Sequence, residues 1–220
     1  MILPAVFSLL AGLLLSIPVG PINLTIINEG ARRGFKWAAL IAGGATLMEV
    51  LYCALAFTSF AALFQKGLIK SAMQVFSFAF MLFLGVRYVM ATSVPAVERF
   101  EHGIEERIEK KLHPHSAFMT GFVRTLANPG VLLGWIVLGA TFIANGWVEP
   151  TLISKLWCLA GVTSGVALWL FGLAWAISLG HQKFSERTIL RMERGSGVGL
   201  ILLGLGQGAL IAYQLAKPVH

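Results

Sequence analysis

Charge is scarce in this chain. Only 12% of its 220 residues are Asp, Glu, Lys or Arg, about half of the roughly 25% usual for soluble domains. A water-facing surface of this size needs more polar area than that, so a soluble enzyme or binding domain is set aside at the outset. Cysteine is nearly absent as well. Cys53 and Cys158 stand far apart inside apolar stretches, with no CxxC pair and no Cys/His cluster. A disulfide framework, a zinc site or thiol redox chemistry therefore has little support, and both read as buried small side chains. No Ser/His pair, Asp dyad or HExxH motif lies in the apolar stretches, which argues against an intramembrane enzyme. The start, MILPAVFSLLAGLLLSIPVG, lacks the basic n-region and cleavage signal of a signal peptide and reads as a first membrane helix.

What the chain has is apolar length. Hydrophobic residues make up 57% of it, and a membrane helix needs about 20 mostly apolar residues. Six stretches qualify: Leu3 to Ile27, Trp37 to Phe64, Leu68 to Met90, Phe118 to Ala144, Leu152 to Leu179 and Gly197 to Leu215. The net charge of +7 would suggest nucleic acid in a soluble protein. Here the basic residues lie between apolar stretches, where they suit anionic headgroups, so no nucleic-acid partner is expected. Of the 17 Lys and Arg, 13 fall in or beside the first, third and fifth connections. The positive-inside rule then places those connections in the cytoplasm and both termini in the periplasm.

The third connection is the one sizeable polar piece. VPAVERFEHGIEERIEKKLHPHS reads as a short surface helix ending at Pro114, with Glu106 and Lys110 as a favourable pair one turn apart. His102, His113 and His115 read as exposed loop residues rather than metal ligands. The chain thus divides into a three-helix repeat over 1–92, a charged linker over 93–117 and a second three-helix repeat over 118–220. An odd number of spans per half makes the halves inverted with respect to each other.

Several residues point to a solute path. Pro18-Val19-Gly20-Pro21-Ile22-Asn23 should break the first helix, because proline has no N–H and clashes with the carbonyl four residues back. Pro18 and Pro21 would free the carbonyls of Leu14 and Ile17, and Asn23 would offer an amide beside them. Asn128-Pro129-Gly130 should break the fourth helix and free the carbonyl of Thr125. Such breaks survive in a bilayer where they face protein or a wet cavity. A packing kink is the plainer reading of each alone; together they resemble the paired discontinuous helices of secondary transporters. Glu49 lies near the middle of the second span, where an ionisable group is costly and faces the bundle interior or water. Helical spacing puts Ala42, Ala45, Thr46, Glu49, Tyr52, Cys53 and Ala56 on one small, mildly polar face. A carboxyl there could carry a coupling proton or hold a substrate ammonium; a structural ion pair is the alternative. Arg124 either snorkels to the interface or meets a substrate carboxylate or Glu49. Gly195/Gly199 and Gly204/Gly208 in the last helix suit close packing within one chain or in a homo-oligomer. Trp37, Trp147 and Trp157 stand near span ends as interfacial anchors do.

PVGPINLTIINEGARRGFKWAALIAGGATLMEVLY resembles the first-to-second-helix signature of the LysE-type amino-acid exporter family, and VRTLANPGVLLGWIVLGA resembles its Asn-Pro helix. AGVTSGVALWLFGL and the glycine-rich last helix fit the remainder, so the resemblance covers almost the whole chain. It implies an all-α bundle of six membrane helices in two inverted repeats. It also implies export of amino acids or similar metabolites across the bacterial inner membrane, driven by the proton gradient or membrane potential, with no cofactor. Gly20, Pro21, Asn23, Glu49, Asn128 and Pro129 match its motifs. Two departures bear on the substrate. Glu49 stands where the family typically has Asp. Leu132-Leu133-Gly134 replaces the acid-bearing run that exporters of lysine and arginine tend to have after Asn-Pro, which favours a neutral amino acid. Outside this reading stand a non-transporting membrane scaffold and a metal-ion exporter, the latter opposed by a single membrane acid without a ligand cluster.

Overall fold

The structure, a computed structural model, describes residues 2–17, 20–58, 67–90, 116–144, 146–149, 151–179 and 186–216. All regular structure among them is α-helical. The helices are α1 (Ile2–Ser16), α2 (Pro21–Arg33), α3 (Phe35–Thr58), α4 (Gly67–Val89), α5 (Ala117–Ala127), α6 (Pro129–Ala144), α7 (Leu152–Ser178) and α8 (Glu186–Ala216).

α3 shows why this sequence belongs in lipid. Its buried side carries Ala38, Ala42, Gly44, Ala45, Thr46, Glu49, Tyr52, Cys53 and Ala56. Its exposed side carries Leu40, Leu47, Leu51 and Leu55. A soluble helix would hide the leucines. Between membrane helices there is no hydrophobic drive to do so, and small residues win the interior because they let backbones approach.

α3, α4, α7 and α8 are each long and apolar enough to cross a membrane, and α5 with α6 passes as a fifth span bent by 65°. α1 rises only about 22 Å, short of the roughly 30 Å hydrocarbon layer. The sixth span expected from the sequence needs α1 joined to α2 through residues 18 and 19. Those residues, Pro18 among them, lie outside the described residues, as does nearly all of the linker 93–117. α8 corrects one boundary: it starts at Glu186, well before the expected Gly197, and takes in Arg187, Arg191 and Arg194. Glu, Arg, Leu and Met in that segment are good helix formers, so the helix continues past the apolar stretch.

The bundle is assembled from three kinds of pairing. α1 runs against α7, α5 against α3, and α4 against α8, while α3 and α7 touch at the centre. Glycine makes each crossing close. A Cβ on Gly44 would overlap the Phe118 carbonyl and stand 2.8 Å from the Phe122 nitrogen; one on Gly165 would overlap the Leu9 carbonyl and stand 2.8 Å from the Leu13 nitrogen. Gly121 faces the Ile41 carbonyl, and Gly12 faces that of Val162. Gly85 and Gly197 meet between α4 and α8, where a Cβ on either would stand 2.9 or 2.7 Å from the other's carbonyl. The last-helix glycines named from their spacing behave differently. Gly204 and Gly208 meet Leu82 and Phe78 of α4, Gly199 meets Leu14, and Gly195 faces open space. Spacing alone could not pick Gly197, because the partner's register decides which glycine meets backbone. Of the three tryptophans, Trp37 and Trp157 are exposed, whereas Trp147 stacks on Phe7 and packs against Phe142.

Candidate functional site

Two interrupted helices converge on the middle of α3. In the first, α1 stops at Ser16 and α2 restarts with Gly20 as its extended N-cap and Pro21 in the first helical position. Proline is suited to that position, where its missing N–H has no partner to lose. Asn23 reaches back across the break: its Nδ2 donates to the Ser16 carbonyl at 2.8 Å. The Trp169 indole of α7 donates to Asn23 Oδ1 at 3.3 Å. Asn23 is 1% exposed, so this side chain is a staple between α1, α2 and α7.

The second break differs in detail from the expectation. Pro129 does not orphan Thr125, whose carbonyl accepts the Asn128 N–H at 3.2 Å. Asn128 ends α5 and caps α6: its Oδ1 accepts the N–H groups of Gly130 and Val131 at 2.8 and 3.2 Å. Gly130 is thereby diverted from the Leu126 carbonyl four residues back. Tyr52 of α3 takes that carbonyl instead, donating from its hydroxyl at 2.7 Å. The turn tightens by one residue because the asparagine side chain competes for the backbone there.

Tyr52→Phe tests this account. It removes one hydroxyl and strands a carbonyl, at a cost of about 1–3 kcal/mol. Thermal unfolding in detergent should show a clear loss, and an unchanged midpoint would contradict the role.

Glu49 sits between the breaks, 4% exposed. Its carboxyl faces Ser16 at the end of α1 and Trp135 in α6. The Ser16 hydroxyl also donates to its own helix, to the Gly12 carbonyl at 2.8 Å. The Trp135 indole N–H reaches no acceptor at good hydrogen-bond geometry, and neither does the Thr125 hydroxyl; both atoms are buried. Polar groups left like this are uncommon and call for an explanation. Thr46 is turned to its own helix, donating to the Ala42 carbonyl at 2.8 Å.

Arg124 is not the partner of Glu49: its Nη1 donates to the Thr25 hydroxyl of α2. Among the described residues no ion pair joins the two. The pair that is present, Glu29 with Arg33 at 3.0 Å, lies at the α2–α3 turn. There the Arg33 guanidinium also covers the Trp37 ring at 4.6 Å.

The residues that came together were therefore Asn23, Glu49 and Asn128 from the sequence motifs, and Ser16, Trp135, Trp169, Thr25 and Thr125 from elsewhere. Thr25, Thr125, Trp135 and Trp169 lie within the family-like stretches but outside their Gly-Pro, Asn-Pro and acidic positions; Trp135 and Trp169 are aromatic residues in apolar helices, where packing is the ordinary reading.

A multi-pass helical protein with two broken helices around a membrane-buried carboxylate has an arrangement suited to transport. Residues 13–212 match the LysE type translocator family, and the chain belongs to it. The Bacillus subtilis (strain 168) protein named "Putative amino acid efflux protein YcgF" is 26% identical over 194 residues, covering 88% of this chain and 89% of that one. The Pseudomonas aeruginosa PAO1 protein named "Chemotactic transduction protein ChpE" is 24% identical over 205 residues, covering 92% and 95%. No solved structure matches the chain.

Proposed function

We propose that this translocator is a secondary exporter of amino acids or related small metabolites in the bacterial inner membrane, with a neutral amino acid as the favoured cargo. The observation that carries the reading is Glu49, a carboxyl buried where two broken helices meet, with no second acid beside it among the described residues. It would bind either a proton or the substrate ammonium, so that loading one displaces the other and couples export to the proton gradient or membrane potential. The uncommitted N–H of Trp135 and hydroxyl of Thr125 would hydrogen-bond the cargo. Asn23, Asn128, Gly20, Pro21 and Pro129 would hold the breaks open around it, Thr46 would line the same face, and Arg124 would guard the α2 side. Pro18 would extend the first break. The name carried by the Bacillus relative supports an efflux direction.

Six spans in two inverted repeats fit the crossings. Residues 118, 121 and 122 of α5 use the same backbone atoms against α3 as residues 9, 12 and 13 of α1 use against α7. Residues 41 and 44 of α3 correspond in the same way to 162 and 165 of α7. With the basic connections inside, both termini would be periplasmic.

Flux from proteoliposomes tests the function. Purified protein, a mixed pool of amino acids inside and an imposed proton gradient should give selective loss of a few neutral amino acids, read by mass spectrometry. No loss beyond that of empty vesicles, from folded protein in either orientation, would sink the amino-acid reading. The Pseudomonas relative's name would then favour a membrane component that assembles with a signalling partner.

A further inference from the structure

The larger pairings of the two halves match except at two places. α2 rests on α3, whereas its counterpart α6 has no such packing on α7 among the described residues. Conversely α6 rests on α4, whereas α2 has no comparable packing on α8. Both half-helices keep their contact with the opposite central helix, α2 with α7 and α6 with α3. The larger asymmetry therefore lies in where the two half-helices lean.

A buried polar cluster marks the contact made by α6 alone. Gln207 of α8, 4% exposed, donates from Nε2 to the Gln74 carbonyl of α4 at 3.2 Å. Its Oε1 lies 3.2 Å from the Thr141 hydroxyl of α6, which also reaches the Val137 carbonyl at 2.8 Å. Ser77 of α4 donates to that same Val137 carbonyl at 3.2 Å. Ser77 and Thr141 are buried. The hydrogen bonds of this cluster join α4, α6 and α8. Amides and hydroxyls in lipid-embedded helices are costly unless they are joined to one another, and interhelical bonds of this kind are worth only about 0.6 kcal/mol on average. A cluster that weak can open.

We propose that Gln207, Thr141, Ser77 and Gln74 form a latch that seals the transport path at the end of α6, opposite the charged linker. The inference rests on the exporter reading and adds its gate. With the latch closed, α6 is docked on the α4–α8 pair while α2 lies back against α3, which leaves the path sealed on one side and relaxed on the other. Opening exchanges the two: α6 leaves α4, and α2 moves towards α8. The glycine crossings do not change, since they have no side chains to repack.

The test uses labelling rather than flux, so its failure is separate from failure of the exporter reading. Ser77→Cys places a thiol inside the closed latch, and a membrane-impermeant maleimide is added from the side where α6 ends. The single variant should react slowly. Adding Gln207→Leu, which keeps the bulk and removes the amide, should raise the rate about sevenfold, the shift expected for loss of both its interhelical bonds at about 0.6 kcal/mol each. Thr141→Val is the second opener and decides the matter if Gln207→Leu does not fold. An unchanged rate in a folded opener would overturn the latch, as would equal acceleration from both sides of the membrane.

Discussion

Glu49→Gln should abolish gradient-driven export and leave the protein folded. Glutamine keeps the shape of the side chain and still faces Ser16 and Trp135, the two groups beside the carboxyl. It cannot exchange a proton or balance a cation. Among the described residues no other acid is paired with this site, and Glu29 is committed to Arg33 at the α2–α3 turn. If Glu49 alone carries the coupling charge, proton-driven flux should fall to the level of empty vesicles. Binding of a neutral cargo, measured by calorimetry in detergent, should weaken less than that of its protonated amine analogue. Undiminished proton-driven flux in the Gln variant would remove Glu49 from the mechanism.

The second large effect is on stability. Gly44→Ala should destabilise severely, because the added carbon would overlap the Phe118 carbonyl and crowd the Phe122 nitrogen, both backbone atoms that cannot swing aside. Overpacking in an ordinary core costs about 1–3 kcal/mol, and rigid backbone puts this site at or above the upper end. Gly165→Ala should match it, since its methyl would meet the equivalent atoms of Leu9 and Leu13. Gly172→Ala is the control: it faces open space in α7, and replacing a helical glycine there should gain about 0.5–1 kcal/mol. Folded yield and unfolding midpoint in detergent would rank the three. Similar behaviour of Gly44→Ala and Gly172→Ala would contradict the close crossing.

How much of this could be read beforehand follows from what sets each feature. The membrane helices were legible because apolar length is a local property, and α7 runs Leu152–Ser178 against an expected Leu152 to Leu179. The buried face of α3 was legible for the same reason: helical periodicity alone grouped Thr46, Glu49, Tyr52 and Cys53, and all four are buried. The proline breaks were legible as breaks. Their wiring was not. Which carbonyl Pro129 strands depends on Asn128 capping α6, and which side chain rescues it depends on Tyr52, 74 residues away in sequence. Trp135 and Trp169 were missed because their indole N–H groups matter only through neighbours on other helices. Arg124 could not be assigned from depth, since Thr25 lies 99 residues away.

The α2–α3 joint carries a mechanical consequence. One residue, Gly34, connects the two helices with φ 81°, a region open chiefly to glycine. Arg33, the last residue of α2, is laid over Trp37 in the first turn of α3. That end of α2 is a fulcrum, and the 13-residue helix is a rigid lever about 20 Å long. A tilt of about 15° at the fulcrum sweeps the other end by about 5 Å. The swept end bears Gly20 and Asn23, so a small rotation at Gly34 becomes a displacement of several ångströms at the break between α1 and α2.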